Sequence, residues 1–71
     1  MTGRITHWET DGILVGVSVE GEGQERTVSI AVHEWTQLLD ARGGLANVVG
    51  QDVEVRGAGA AASIVFLDEA N

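Results

Sequence analysis

The feature that most constrains the fold of this chain is a pair of segments with apolar residues at every second position, separated by a Gly-rich acidic stretch. In a β-strand, this spacing places the apolar side chains on one face. The glycines accept the positive φ of a chain reversal, and the glutamates stay in water. The pattern predicts a β-hairpin over residues 12–32, with a loop longer than a two-residue turn. The residues expected to face its core are Ile13, Val15, Val17, Val19, Val28, Ile30 and Val32.

Three further strands and one helix are predicted around this hairpin. A short strand covers residues 3–8, with Ile5 and His7 on one side. Apolar residues at helical spacing from Trp35, followed by Gly43 and Gly44, indicate a helix from about residue 34 to 42. Two strands follow, near residues 51–56 and 63–67, and then a solvated tail at 68–71. The order β-β-β-α-β-β predicts an all-β class with one short helix, as a five-stranded OB-like barrel or alternatively an SH3-like barrel.

Length and composition limit how such a chain is stabilised. The 71 residues leave room for one domain, over residues 1–71, and the chain has no cysteine for a disulfide. A small core must therefore come from aliphatic side chains. No apolar run is long enough to cross a bilayer, and the first twelve residues are polar and unlike a signal peptide, so we expect a cytoplasmic protein.

The charge balance disfavours nucleic acid as a partner. Eleven acidic residues face four arginines and no lysine, and the net charge is −7. Such a surface repels phosphate at long range. Stacking on rings could compensate in single-strand binding, but the chain has only Trp8, Trp35 and Phe66. Solubility of a small acidic protein is a sufficient explanation for the charge.

Five short segments in the predicted barrel resemble, in order and spacing, those of a cold-shock domain. They are residues 3–9 (GRITHWE), 11–17 (DGILVGV), 20–24 (EGEGQ), 30–33 (IAVH) and 50–55 (GQDVEV). The resemblance implies an OB-fold barrel that binds single-stranded RNA or DNA by stacking bases on exposed rings. The residues to which it assigns this role here are Trp8, His33 and Arg4.

The chain departs from the family at most of the stacking positions. Ile13, Val15 and Ala31 stand where the family has rings, and Glu34 follows His33. Each stacked base contributes about 1–3 kcal/mol, so these losses should weaken binding by several kcal/mol. Binding of single-stranded nucleic acid is therefore the alternative function, and an acidic mimic of nucleic acid is a third.

No motif in the chain predicts catalysis or a cofactor. The run Gly57–Ala62 fits a dinucleotide-binding pattern, but too few residues follow it for the required helix and parallel strand. His7, His33 and Glu34 lack the spacing of a metal site. The serines have no neighbouring base, and the acidic residues at 20–25 lack the register of a calcium loop. We therefore expect no enzyme, no metal and no cofactor.

The outer face of the central hairpin is the predicted site of protein contact. Leu14, Gly16 and Ala31 fall on the face opposite the valines, around Ser18 and Ser29, without rings or basic groups. This surface suits another protein, strand pairing or a second copy. Trp35 is a further candidate anchor, with a place in the core as its alternative. The sequence thus predicts a non-enzymatic binding module whose partner is another protein or a second copy.

Overall fold

The structure is a computed structural model that describes residues 1–69. Its elements follow the predicted order: β1 (Thr2–Thr10), β2 (Leu14–Gly21), β3 (Gln24–Ala31), α1 (Val32–Arg42), β4 (Asp52–Arg56) and β5 (Ser63–Phe66). Three-residue 3₁₀ turns lie at Leu45–Asn47, Gly59–Ala61 and Leu67–Glu69. The β-rich class with one short helix is thereby confirmed.

All five strands form one antiparallel sheet in the order β3-β2-β1-β4-β5. β1 lies at the centre and pairs with β2 on one side and β4 on the other. β3 and β5 are the two edges, and no strand pairing joins them within the described residues. The sheet is therefore open, and the closed barrel predicted from the sequence is not confirmed.

One apolar core nevertheless draws side chains from both ends of the sheet, so the sheet wraps around it. The buried members are Ile5, Val15, Val17, Val19, Val28, Trp35, Val48, Val53, Val55 and Phe66. The period-two pattern thus correctly predicts the inward residues of β2 from Val15 onward, together with Val28 on β3. Ile30 and Val32 pack against this core from its margin.

Ile13 departs from the pattern, because its side chain is 74% exposed. The carboxylate of Asp11 accepts hydrogen bonds from the backbone N–H groups of Ile13 and Leu14, both at 2.9 Å. With Gly12 at φ 96°, this arrangement extends the turn through residue 13. β2 therefore begins one residue later than the spacing predicts, and the prediction that Ile13 faces the core is wrong.

The loop of the central hairpin is also shorter than predicted. Gly21 pairs with Gln24, so the turn contains only Glu22 and Gly23. Both have positive φ, 55° and 75°, which is the conformation of a type I′ turn. Glu22 adopts it despite its Cβ, because the twist of the flanking strands requires it.

A β-bulge in β1 changes the predicted faces of that strand. The register shifts between Ile5, which lies opposite Val19, and His7, which lies opposite Ser18. Trp8 then lies opposite the buried Val17. Ile5 and Trp8 therefore share the inner face, whereas simple alternation pairs Ile5 with His7. One extra residue reverses the faces, because side chains alternate with a period of two.

The helix is confirmed, and it starts two residues earlier than predicted because Val32 belongs to it rather than to β3. It ends at Gly43, whose φ of 83° is left-handed, and Gly44 N–H donates to the Leu39 carbonyl at 2.8 Å. Within residues 1–69, no helix has the length and apolar character needed to cross a bilayer.

The predicted tail is only partly described. The described part is not free, because Asp68 is bound by Arg42 at 2.6 Å. Ala70 and Asn71, the rest of the predicted tail, lie outside the described residues.

Candidate functional site

An exposed apolar patch lies where β2 begins and β3 ends. We call Ile13, Leu14, Gly16 and Ala31 the hairpin patch. Leu14 and Ala31 are cross-strand partners on the outer face, as predicted. Ile13 and Leu14 are 74% and 48% exposed, the highest values among the large apolar side chains that the structure describes. Two adjacent large apolar side chains are therefore presented to solvent.

Several hydrogen bonds hold the backbone of this patch. Besides the two bonds from Asp11, the Thr10 hydroxyl donates to the Leu14 carbonyl at 2.8 Å. The Val32 N–H donates to the Ile13 carbonyl at 3.2 Å, which ties the turn to the start of α1. The backbone N–H of Leu14, followed by that of Ile13, lowers the pKa of Asp11 below its usual 3.8. The apolar pair is thus held by an ordered turn, which reduces the entropy that a partner must remove on binding.

A shallow groove of about 340 Å³ adjoins the patch beside Gly16. Glu9, Thr10, Asp11 and Ser29 line the rest of it together with Leu14, and it contains no basic side chain. A Cβ at Gly16 would make a tight contact with the Thr27 Cγ2 atom, at 3.3 Å, so the Thr27 methyl group lies close above Gly16 on the outer face. The groove combines an apolar side with an acidic rim.

The surface around Ser18, which the sequence predicts to be open, is covered by the side chain of His7. The Ser18 hydroxyl hydrogen-bonds to Nε2 of His7 at 3.1 Å, and Nδ1 of the same ring contacts the Thr6 hydroxyl at 3.2 Å. Ser18 is therefore buried, whereas Ser29 is exposed as expected. The bulge in β1 brings His7 opposite Ser18, and a bulge of this kind leaves no sequence pattern that would predict the cover.

Trp35 is not an exposed anchor, because it is only 3% exposed. Its ring packs on Trp8, with centroids 5.5 Å apart. The prediction that Trp35 contacts a partner is therefore wrong, and its alternative place in the core is what the structure shows. A core this small uses the tryptophan as a major part of its volume.

The three residues assigned to nucleic-acid binding do not converge. Trp8 is half-buried on the inner face of β1, whereas Arg4 is on the outer face and pairs with Asp52 at 3.3 Å. Arg4 lies opposite Glu20, near the last residue of β2. Exposed His33 directly follows Val32, whose N–H donates to the Ile13 carbonyl just before β2 begins. Six strand residues separate these ends, or about 20 Å. No single surface contains all three side chains.

Every arginine of the chain is engaged within the fold. Arg42, whose side chain is 7% exposed, binds Asp68, and exposed Arg4 and Arg56 pair with Asp52 and Glu54. Arg26 donates to the Gly57 carbonyl at 3.3 Å. Because the sequence has no lysine, all side-chain cations other than histidine already have intramolecular partners.

A second groove, of about 570 Å³, lies beside the accessible side of Trp8. No sequence pattern predicts it. Thr6, His7, Leu45 and Val49 line it with Trp8 and Ala46. It arises because the bulge at Thr6 turns Trp8 toward the 3₁₀ turn at Leu45–Asn47. The groove offers a ring but no cation.

The residues that the structure describes include no cluster of three histidine or carboxylate side chains able to hold a metal ion. Comparison with protein-family models, curated proteins and solved structures finds no match to this chain. The cold-shock resemblance therefore stays a prediction, and function must be inferred from the surfaces themselves.

Proposed function

We propose that this chain is a non-enzymatic OB-like barrel with an open seam, and that it binds another protein through the hairpin patch. The OB-like assignment is supported by the β1–β2–β3 meander, by β1 pairing with β4, and by the helix between β3 and β4. OB folds are partly open five-stranded barrels. The observation that carries the function is the exposed Ile13–Leu14 pair on its hydrogen-bonded turn.

The size of this pair fits the role of an interface anchor. Burying a Leu or Ile side chain completely contributes about 1.5–3 kcal/mol. A few such residues dominate the binding energy of most interfaces, surrounded by contacts that exclude water. The groove beside Gly16 supplies that surrounding surface, with Glu9 and Asp11 at its rim.

The partner that this surface fits is an apolar segment flanked by basic side chains. Glu9 and Asp11 attract cations, and no basic group within the groove repels them. Such attraction raises the association rate and is screened by salt. We expect the affinity to fall as ionic strength rises, while the apolar anchors maintain part of the binding in high salt.

Nucleic acid fits the described surfaces less well. In OB folds, oligonucleotides bind across strands 2 and 3 and the loops that follow strands 1 and 4. Here the loop after β1 contains Asp11, Gly12 and Ile13, and the loop after β4 contains only Gly and Ala. Phosphate contacts would fall on arginines that already have an intramolecular partner, and the net charge of −7 opposes them. The acidic mimic of nucleic acid remains a third prediction, with no residue pattern that names its target.

The experiment compares immobilised wild-type protein with two surface variants in capture from the source lysate. In the test variant, Ile13→Ser and Leu14→Ser are combined. In the control, Leu45→Ser changes another exposed apolar residue, beside the Trp8 groove. We expect the wild type and the control to retain the same protein and the double variant to lose it, with melting temperatures showing all three folded. Retention by the double variant would contradict the proposal.

The nucleic-acid alternative has its own test. Oligo-dT is titrated at low salt while tryptophan fluorescence is recorded. The variant is Trp8→Phe, which keeps an aromatic ring at a position that packs against the core. We expect no quenching up to about 100 μM oligonucleotide. Quenching that Trp8→Phe abolishes would support single-strand binding instead.

A further inference from the structure

The two edges of the open sheet face each other across a groove of about 250 Å³, which we call the seam. Ser29 and Ile30 of β3 line one side, and Ser63 and Ile64 of β5 line the other. Leu38 of α1 and Phe66 also line it. Farther along β3, Arg26 spans the gap to the Gly57 carbonyl. The seam therefore lies between two unpaired strand edges that the fold already holds near each other.

The backbone of β3 has hydrogen-bonding capacity left on this side. In an antiparallel pair, residues alternate between those that bond the partner strand and those that point away from it. The two-residue turn is closed by Gly21 and Gln24, and Val32 N–H still points toward β2. Even-numbered residues of β3 therefore bond β2, and Thr27 and Ser29 direct their N–H and C=O groups away from β2, along the free edge where Ser29 lines the seam.

Within the seam, neither edge has a charge, proline or bulge that would block strand addition. Natural edge strands are protected by such features, by short length or by a covering element, and of these β5 has only its short length of four residues. The chain has no proline, the bulge that the structure shows lies in the central strand β1, and residues 27–31 of β3 are uncharged. All four residues of β5, Ser63–Phe66, are uncharged as well. This part of the fold is thus open to an added strand.

We propose that the seam binds an extended basic peptide segment of a partner protein as an added strand beside β3. The charges select the chemistry of this segment. Exposed Glu34 lines the groove and makes no ion pair with any residue that the structure describes. A second copy would instead bring another net charge of −7 against Glu34. The proposal adds a second surface to the proposed protein-binding function and rests on that function only for the class of partner.

The volume of the seam matches this occupant. A cavity of about 150 Å³ accommodates benzene, so 250 Å³ accepts one aliphatic side chain with space for the neighbouring backbone. Ile30, Leu38 and Phe66 provide apolar contact for that side chain. An alternating aliphatic and basic sequence would place the aliphatic residue inward and the cations outward, near Glu34.

The test uses the full chain, labelled with ¹⁵N, and two synthetic peptides. The probe is acetyl-Lys-Val-Lys-Val-Lys-Val-amide, and the control peptide has glutamate in place of each lysine. We expect the probe to shift the amide signals of Thr27 and Ser29 and to slow their hydrogen exchange at least tenfold. The glutamate peptide should do neither. Shifts confined to Ile13 and Leu14, or equal binding of both peptides, would overturn the proposal.

Variants separate strand addition from other modes of binding. Ser29→Pro removes an N–H that the sheet does not use, and Ser29→Lys serves if the proline variant does not fold. Either variant should lower the affinity for the probe peptide at least tenfold. Glu34→Gln should lower this affinity several-fold, whereas Asp40→Asn, on the same helix but outside the groove, should not. Unchanged affinity in the Ser29 variants, or concentration-dependent shifts without any peptide, would overturn the proposal.

The two proposals fail independently. Loss of lysate capture in the Ile13/Leu14 double variant concerns the hairpin patch, and the peptide experiment reports only on the seam. If the peptide does not bind while capture still depends on the patch, the seam proposal alone is wrong.

Discussion

The guanidinium of Arg42 lies 3.8 Å from the centre of the Phe66 ring and also binds Asp68 at 2.6 Å. Its Nε donates to the Asn47 carbonyl at 2.9 Å, and the Arg42 side chain is only 7% exposed. One side chain thus connects the end of α1 with the following 3₁₀ turn and with the segment after β5. The planar, forked guanidinium makes all of these contacts at once.

Replacing Arg42 with lysine should therefore destabilise the fold although the charge is kept. A lysine has neither the fork nor the planar stacking surface, so we expect the free energy of unfolding to fall by about 2 kcal/mol. Urea denaturation measures the change. The control is Arg56→Lys, at the exposed pair with Glu54, for which we expect no measurable difference. Equal effects of the two changes would mean that the buried contacts of Arg42 contribute no more than a surface ion pair.

The type I′ turn of the central hairpin leads to a stabilising change. Glu22 has φ 55°, which a residue with an ordinary side chain adopts at a cost. Asn followed by Gly is the preferred sequence for this turn, so Glu22→Asn should raise the free energy of unfolding by about 0.5–1 kcal/mol. Glu22→Gln removes the same charge without favouring positive φ. If both variants gain equally, charge rather than backbone conformation explains the effect.

Close approach of the backbone makes Gly21 irreplaceable. A Cβ there would collide with the backbone of Thr2 and Gly3, at the start of the neighbouring strand β1. We expect Gly21→Ala to lower the free energy of unfolding by at least about 2 kcal/mol, because backbone atoms cannot move aside cheaply. Gly16→Ala is the matched control, since its nearest neighbour is the Thr27 methyl group at 3.3 Å. A thermal melt in which both variants lose the same stability would contradict the importance of this close approach.

Asp11 should contribute a pH-dependent part of stability. Backbone N–H groups of Leu14 and Ile13 lower its pKa in the folded chain below the usual 3.8. A lowered folded-state pKa means that the stabilisation is complete above 3.8 and is lost as the pH falls through the folded value. Asp11→Asn keeps an acceptor oxygen but does not titrate. We expect the melting temperature of the wild type to exceed that of Asp11→Asn at neutral pH and this difference to disappear in acid. A difference in melting temperature that stays the same at every pH would contradict this prediction.

Much of the architecture follows from local patterns. The valines from Val15 to Val19 face the core, and the helix ends at Gly43 where the glycines indicate. The outer position of Leu14 and Ala31 follows from the same alternation. These features could be predicted because side-chain direction depends on backbone period and because glycine alone adopts left-handed φ without cost.

The errors occur where a local pattern is broken by one residue or by a distant contact. The Asp11 turn moves Ile13 from the core to the surface, and the bulge in β1 turns Trp8 inward and His7 outward. Trp35 is buried in a core built from distant segments of the chain, and the Trp8 ring packs on it. A shift of one position exchanges the two faces of a strand, and hydropathy patterns do not detect it.

The sequence alone determined the sequence order of the elements, the aliphatic core and the acidic charge, because these depend on composition and on the spacing of neighbours along the chain. Only the tertiary structure decided that the sheet stays open between β3 and β5, that all four arginines are engaged, and which apolar residues reach solvent. Those outcomes depend on contacts between residues far apart in the chain. The free energies of such contacts are set by distance and burial rather than by local pattern.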